Sequence, residues 1–142
     1  MNRILPAVLL LCAACSDSTT ASPTGDTGGT PDPAYFGSYD TNFGGQFSVD
    51  AMDLVDGGAT YAVLSFDDTR VIAQNDSTNE FNPDLYSAFD FATDGNLWFV
   101  CQAAFSAESA EAAEQAAPSD ATDPATGGCG GMFSWTELTA TP

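Results

Sequence analysis

The run Leu97-Trp98-Phe99-Val100-Cys101, with its distant partner Cys129, constrains this chain more than any other feature. In an extended strand, Trp98 and Val100 point to one face and Leu97, Phe99 and Cys101 to the other. A strand that is apolar on both faces must be covered twice, which places it in the middle of a fold. Every Phe, Tyr and Trp lies between Tyr35 and Trp135, and within that window Cys101 and Cys129 are the only cysteines. In the oxidising compartment implied by the N-terminus, such a pair reads as a disulfide. Closing that stretch of chain is worth about 3–4 kcal/mol in the chain-entropy model. The alternative is a redox or metal-binding pair. A reactive dithiol favours close spacing beside basic groups, whereas the surroundings here are glycine-rich and acidic.

The rest of the window carries strand signals. Phe47, Val49 and Ala51 alternate with Ser48 and Asp50, and Tyr35, Gly37 and Tyr39 alternate with Phe36 and Ser38. Turn signals at Asp56-Gly57-Gly58, Asp67-Asp68-Thr69 and Asp94-Gly95-Asn96 separate Tyr61–Phe66, Arg70–Gln74, Leu85–Phe91 and the opening run. Met132–Leu138 reads as a last strand. This spacing predicts a mainly β fold, an antiparallel meander closing into a sandwich or a small barrel. One helix interrupts it. Ala107–Ala117 contains only helix formers, with Ser106 as the expected N-cap and Pro118 as the stop. Because its apolar residues are all alanine, it is expected to lie on the surface, held by its ends.

Charge narrows the partners. The chain has 20 acidic residues, two basic ones and no histidine, for a formal net charge of −18. Such a surface repels nucleic acid and anionic head groups; cations, cationic proteins and neutral ligands remain. Arg70, the only cation after Arg3, is expected to pair with Asp67, Asp68 or an acid on the adjacent strand. The absence of histidine removes Ser-His nucleophilic catalysis and leaves zinc without its usual ligands. Gly127-Gly128-Cys129-Gly130-Gly131 lacks the lysine and the preceding strand of a phosphate loop.

Three candidate sites survive. A pair of Asp/Glu residues could hydrolyse a glycoside, but with so many acids no particular pair stands out. Asn75, Asp76, Asn79 and Glu80 gather hard oxygen ligands suited to calcium, without the glycine and distal glutamate of an EF-hand; the alternative is a solvated turn. Trp98 and Trp135 could form a ligand platform, with core packing as the competing role for Trp98.

The N-terminus supplies an address. Arg3 precedes an apolar stretch, Ile4–Leu11, too short to cross a bilayer core of about 30 Å. Leu11-Cys12-Ala13-Ala14-Cys15 follows, and it resembles the lipobox of bacterial lipoproteins, with Cys12 where that family usually has an aliphatic residue. The resemblance implies a signal peptide over 1–14, lipidation of Cys15 and, from Ser16 after the cysteine, sorting to the outer membrane. Acylated Cys15 would hold the protein to the lipid bilayer with no segment crossing it. Residues 15–34 form a Ser/Thr/Gly/Pro linker expected to be disordered, with a reach of roughly 20–25 Å. A single β-rich domain occupies 35–142. Its Asn82-Pro83 loop and cysteine pair, from Tyr61 to Leu138, resemble the C-terminal module of uncharacterised bacterial envelope lipoproteins, a likeness that implies no activity. The expected function is a non-catalytic surface interaction or ligand-binding module, the protein or glycan partner being open. The alternative is a carbohydrate-active hydrolase using an Asp/Glu pair.

Overall fold

The structure, a computed structural model, describes residues 31–142 apart from Met132. The expected signal peptide, Cys15 and the expected linker up to Thr30 lie outside the described residues. The compact unit begins at Pro31, and Pro33 is already buried.

Eight antiparallel strands close into an up-and-down barrel. They are β1 (Gly37–Thr41), β2 (Gln46–Val49), β3 (Asp53–Asp56), β4 (Ala59–Phe66), β5 (Arg70–Asn75), β6 (Tyr86–Asp94), β7 (Leu97–Ala107) and, after an excursion, β10 (Thr136–Ala140). Each pairs with its predecessor, and β10 closes the ring on β1 through Tyr39↔Ala140 and Thr41↔Leu138. The excursion carries the helix α1 (Ala110–Glu114) and a two-stranded ribbon, β8 (Gly128–Cys129) with β9 (Phe133–Ser134). The turns after β3, β4 and β6 are those the sequence announces, whereas the bend at Ala51–Met52 between β2 and β3 cuts short the strand expected to run through Ala51. Gly57 and Gly58 take φ of +57° and +99°, as a two-residue hairpin with both central residues left-handed requires. Asp67 Oδ1 accepts from the Thr69 and Arg70 N–H groups.

Period-two patterning fills the barrel. Tyr39, Phe47, Val49, Leu54, Val71, Phe89, Phe91, Val100 and Leu138 point inward as one buried cluster. An eight-stranded barrel has an interior just wide enough for side chains or one small ligand. Here most of it is packed with rings. The chain enters at the end bearing the Asp50–Met52, Asp67–Thr69 and Gly95–Asn96 turns, and Tyr35 plugs that end. Its ring stacks on Phe91 at 3.9 Å between centroids, and its hydroxyl donates to the Asp67 carbonyl at 2.6 Å.

The opening run sits at the centre of this arrangement. Trp98 and Val100 face the interior. Phe99 and Cys101 face outward into a second cluster with Ala92, Cys129 and Trp135. The Cys101–Cys129 disulfide ties the excursion to the outer wall, with the Cα atoms 5.4 Å apart. Both coverings required by the apolar run are thus present: the barrel core inside, the disulfide-linked ribbon outside.

Boundaries in the C-terminal part also differ from the sequence expectation. β7 runs on to Ala107, which pairs with Tyr86, so the helix is only Ala110–Glu114 and its N-cap is Ser109, not Ser106. Pairing with β6 outweighs the helix propensity of the alanines. Nor is the helix held only by its ends: Ala113, fully buried, packs on Ile72 and Ala88 of the outer wall, where small side chains permit close approach. The last strand is split into β9 and β10 by the buried Trp135.

Arg70 takes the adjacent-strand partner. It forks onto Asp90, its direct neighbour on β6, through Nε to Oδ1 and Nη2 to Oδ2. Its Nη1 also donates to the Glu114 and Ala116 carbonyls at the end of the helix, while Asp90 Oδ2 accepts from the Ser119 N–H. The pair therefore pins the excursion to the wall, in addition to the disulfide.

Candidate functional site

The end of the barrel opposite Tyr35 is open. It carries the Asn42–Gly45 and Gly57–Gly58 turns, the loop 76–85 and the start of the excursion. The pairing of β10 with β7 stops at Thr136↔Val100, so residues 101–107 of β7 run past their last rung on that side. The wall is split there, and the ribbon β8–β9 flanks the gap. A slot of about 240 Å³ enters it, lined by Asp56, Phe89, Gln102, Phe105, Phe133 and Thr136 among others. A depression of about 590 Å³ adjoins it, bounded by Tyr61, Asn75, Phe81, Asn82, Gln102, Phe105 and Phe133. A third, lined by Asp56, Tyr61, Asn79, Glu80 and Phe81, completes the mouth. The shared residues set the three side by side around one mouth, and the depression of about 590 Å³ is within the size range of small-molecule sites.

Its floor is polar by position. Asp56 follows Leu54 in the inward register of β3, Asn75 follows Ala73 in β5, and Ser87 precedes Phe89 in β6. Asn75 and Ser87 are buried, and a directed chain of hydrogen bonds satisfies them. Gln102 Nε2 donates to Ser87 Oγ at 3.0 Å, and Ser87 Oγ donates to Asn75 Oδ1 at 2.6 Å. Asn75 Nδ2 in turn donates to the Asn82 carbonyl at 2.8 Å. A satisfied buried network of this kind is rigid, because breaking any member strands another. It also fixes the loop 76–85, whose Asn82 and Asp84 adopt φ of +51° and +63°, a conformation that Asn and Asp tolerate better than other side chains. That loop presents Phe81.

The rim is aromatic. Phe81, Phe105 and Phe133 are 73%, 43% and 64% exposed, and each comes from a different part of the chain. Exposed phenylalanines scattered singly need no explanation, but three around one opening form an apolar collar.

Asp56 is the exception on the floor. It is partly buried, and burial raises its carboxyl above the ordinary carboxylate value with no hydrogen-bond donor or cation offsetting that cost. The hydroxyl of Tyr61 is likewise raised, by burial first and by the charge of Asp56 second, with Gln102 acting in the opposite sense. The only cation among the described residues, Arg70, is at the far end of the barrel on the outer wall and committed to Asp90.

The residues singled out from sequence fall as follows. Trp98 is at the plugged end, edge-on to Tyr35 with ring centroids 5.9 Å apart. Trp135 is 2% exposed against the disulfide, so it packs the outer cluster and its face is not presented to a ligand. Neither lines the mouth. The proposed calcium loop has its side chains assigned to separate tasks. Asn75 belongs to the floor network, Asp76 Oδ1 caps the turn through Thr78, and Asn79 exchanges two hydrogen bonds with the Thr60 backbone. Glu80 is exposed at the edge of the mouth. Among the described residues, no group of three or more His, Cys, Asp or Glu is placed to hold a metal ion. Of the acids, Asp56 and Glu80 line the opening.

The mouth itself was missed in the sequence. Phe81 stands in an otherwise polar loop, which is a signal in hindsight, and the parity from Leu54 to Asp56 pointed that carboxylate inward. Nothing local links Phe81, Phe105 and Phe133 to one another. Comparison with family models, with curated proteins and with solved structures finds no match for the chain.

Proposed function

We propose that the protein is a lipid-anchored component of the bacterial cell envelope, held at the outer membrane through acylated Cys15, and that its barrel is a non-catalytic ligand-binding module. The observation that supports binding is the mouth: an apolar collar of three phenylalanines over a rigid polar floor, at the open end of a barrel whose interior is mostly filled by side chains. Small-molecule sites combine these elements, with apolar walls supplying affinity and a few fixed polar groups supplying orientation. The collar is too small and the surface too acidic to favour an anionic membrane. A hydrolase would need a second carboxylate placed against Asp56. Glu80, the other acid at the opening, is exposed and belongs to the loop rather than to the barrel wall.

Binding is tested with the neutral dye Nile red, whose emission rises on leaving water. The protein should enhance it saturably, and Phe81→Ala with Phe105→Ala should abolish the effect while leaving the melting temperature within a few degrees. Enhancement unchanged in that double variant would refute the mouth as the site. The anchor is tested separately. Cys15→Ala protein should be released from the membrane fraction, and continued partition with membranes would refute lipidation.

A further inference from the structure

Asp56 is a carboxylate for which the protein supplies no partner. It faces inward from the last position of β3, and burial disfavours its charge. A partly desolvated charge with no protein partner has lost some hydration, and a cationic ligand group placed against it would offset that cost. Asparagine at this position would keep the shape without the charge. The carboxylate shares one depression with Phe105 and Phe133, and another with Tyr61 and Phe81. A group set against Asp56 is therefore within the collar as well.

The chemistry of these groups selects the ligand. A phenylalanine rim offers apolar area and the negative faces of its rings, and no hydrogen-bond donor. Cations are drawn to such faces and to the carboxylate beneath them. Around the mouth, a chain of net charge −18 attracts cations and repels anions at long range. A metal site is usually built on several converging carboxylates, cysteines or histidines, and no three such residues are placed together among the described residues. We propose that the mouth takes an organic cation with an apolar body, an alkyl- or arylammonium, its charge set against Asp56 and its body among Phe81, Phe105 and Phe133. This rests on the reading of the barrel as a binding module and narrows it to one ligand class.

The test uses three compounds of similar size: 2-phenylethylammonium, 2-phenylethanol and 3-phenylpropanoate. Calorimetric titration of the purified protein near pH 7 should rank them in that order. A hydrogen bond to a charged partner makes the ammonium about tenfold tighter than the alcohol. Asp56→Asn should bring the ammonium to the affinity of the alcohol and leave the alcohol within about twofold. The variant should fold, since asparagine removes a charge that burial disfavours. Raising the salt screens the general attraction of the acidic surface, but the difference between wild type and Asp56→Asn should persist. If ammonium and alcohol bind equally, the mouth binds ligands but cation selection is wrong. The same conclusion follows if Asp56→Asn retains the preference, which then belongs to the whole surface. If neither compound nor Nile red binds, the binding module itself is refuted.

Discussion

Removing the Cys101–Cys129 bond gives the clearest energetic test of how the excursion is held. The bond joins residues 28 apart in sequence. With a loop of that length, the chain-entropy relation gives about 3.6 kcal/mol at 25 °C. For a folded unit spanning residues 31–142, an unfolding entropy of about 2.1 cal/mol/K per residue converts 1 kcal/mol into about 4 °C. The double variant Cys101→Ala, Cys129→Ala should therefore melt roughly 15 °C below the oxidised protein, followed by circular dichroism. Alanine keeps each Cβ against Phe99 and Trp135, so most of the loss is chain entropy and not packing. The helix should remain docked in the folded variant, because Ala113 and the Arg70–Asp90 pair hold it independently. The ribbon should loosen, and with it Phe133, so Nile red should bind more weakly. A melting temperature within about 3 °C of the parent would refute the reasoning, since the bond would then be removing little entropy from the unfolded chain.

Three further outcomes follow from the same geometry. Asp90→Ala leaves the half-buried Arg70 without its counter-charge (side-chain exposures 15% and 9% for the pair) and should cost about 2–4 kcal/mol in urea unfolding, whereas Arg70→Met with Asp90→Leu should recover part of that loss. Asp56→Asn should be more stable than the parent at neutral pH. The folded parent holds its Asp56 proton above the ordinary carboxylate value, so its stability is lost as pH rises through that window; the advantage of the variant should shrink as acid melts approach the ordinary value. Trp135 Nε1 is buried without a hydrogen-bond partner, so Trp135→Phe forfeits no bond and should cost only about 1–2 kcal/mol, against about 3–5 for Trp135→Ala.

What the sequence revealed and what it did not have physical causes. Strand identity and facing were legible because period two is local: Phe47 and Val49, or Trp98 and Val100, declare their side within a few residues. The disulfide was legible from count and compartment. Closure was not, because parity says which way Leu138 and Tyr39 point and not that β10 lies beside β1. The end of β7 was not legible because the helix formers of Ala107–Ala117 begin where the strand is still paired, and only the neighbouring β6 overrides them. The mouth was invisible for the same reason as closure. Asn75, Ser87 and Gln102 look like unrelated polar residues until three strands bring them together, and Phe81, Phe105 and Phe133 become a collar only when the ring is complete. Both tryptophans pack the structure, while phenylalanines take the exposed positions at the mouth.

The mouth as the ligand site is tested most directly by a nuclear magnetic resonance titration with 2-phenylethylammonium. The amide signals of Asp56, Tyr61 and Phe105 and the side-chain amides of Asn75 and Gln102 should shift together, saturating with one affinity. The indole signals of Trp98 and Trp135 should stay where they are. A shift of the Trp98 indole with the Gln102 and Phe105 signals unmoved would place the ligand at the plugged end and contradict the account.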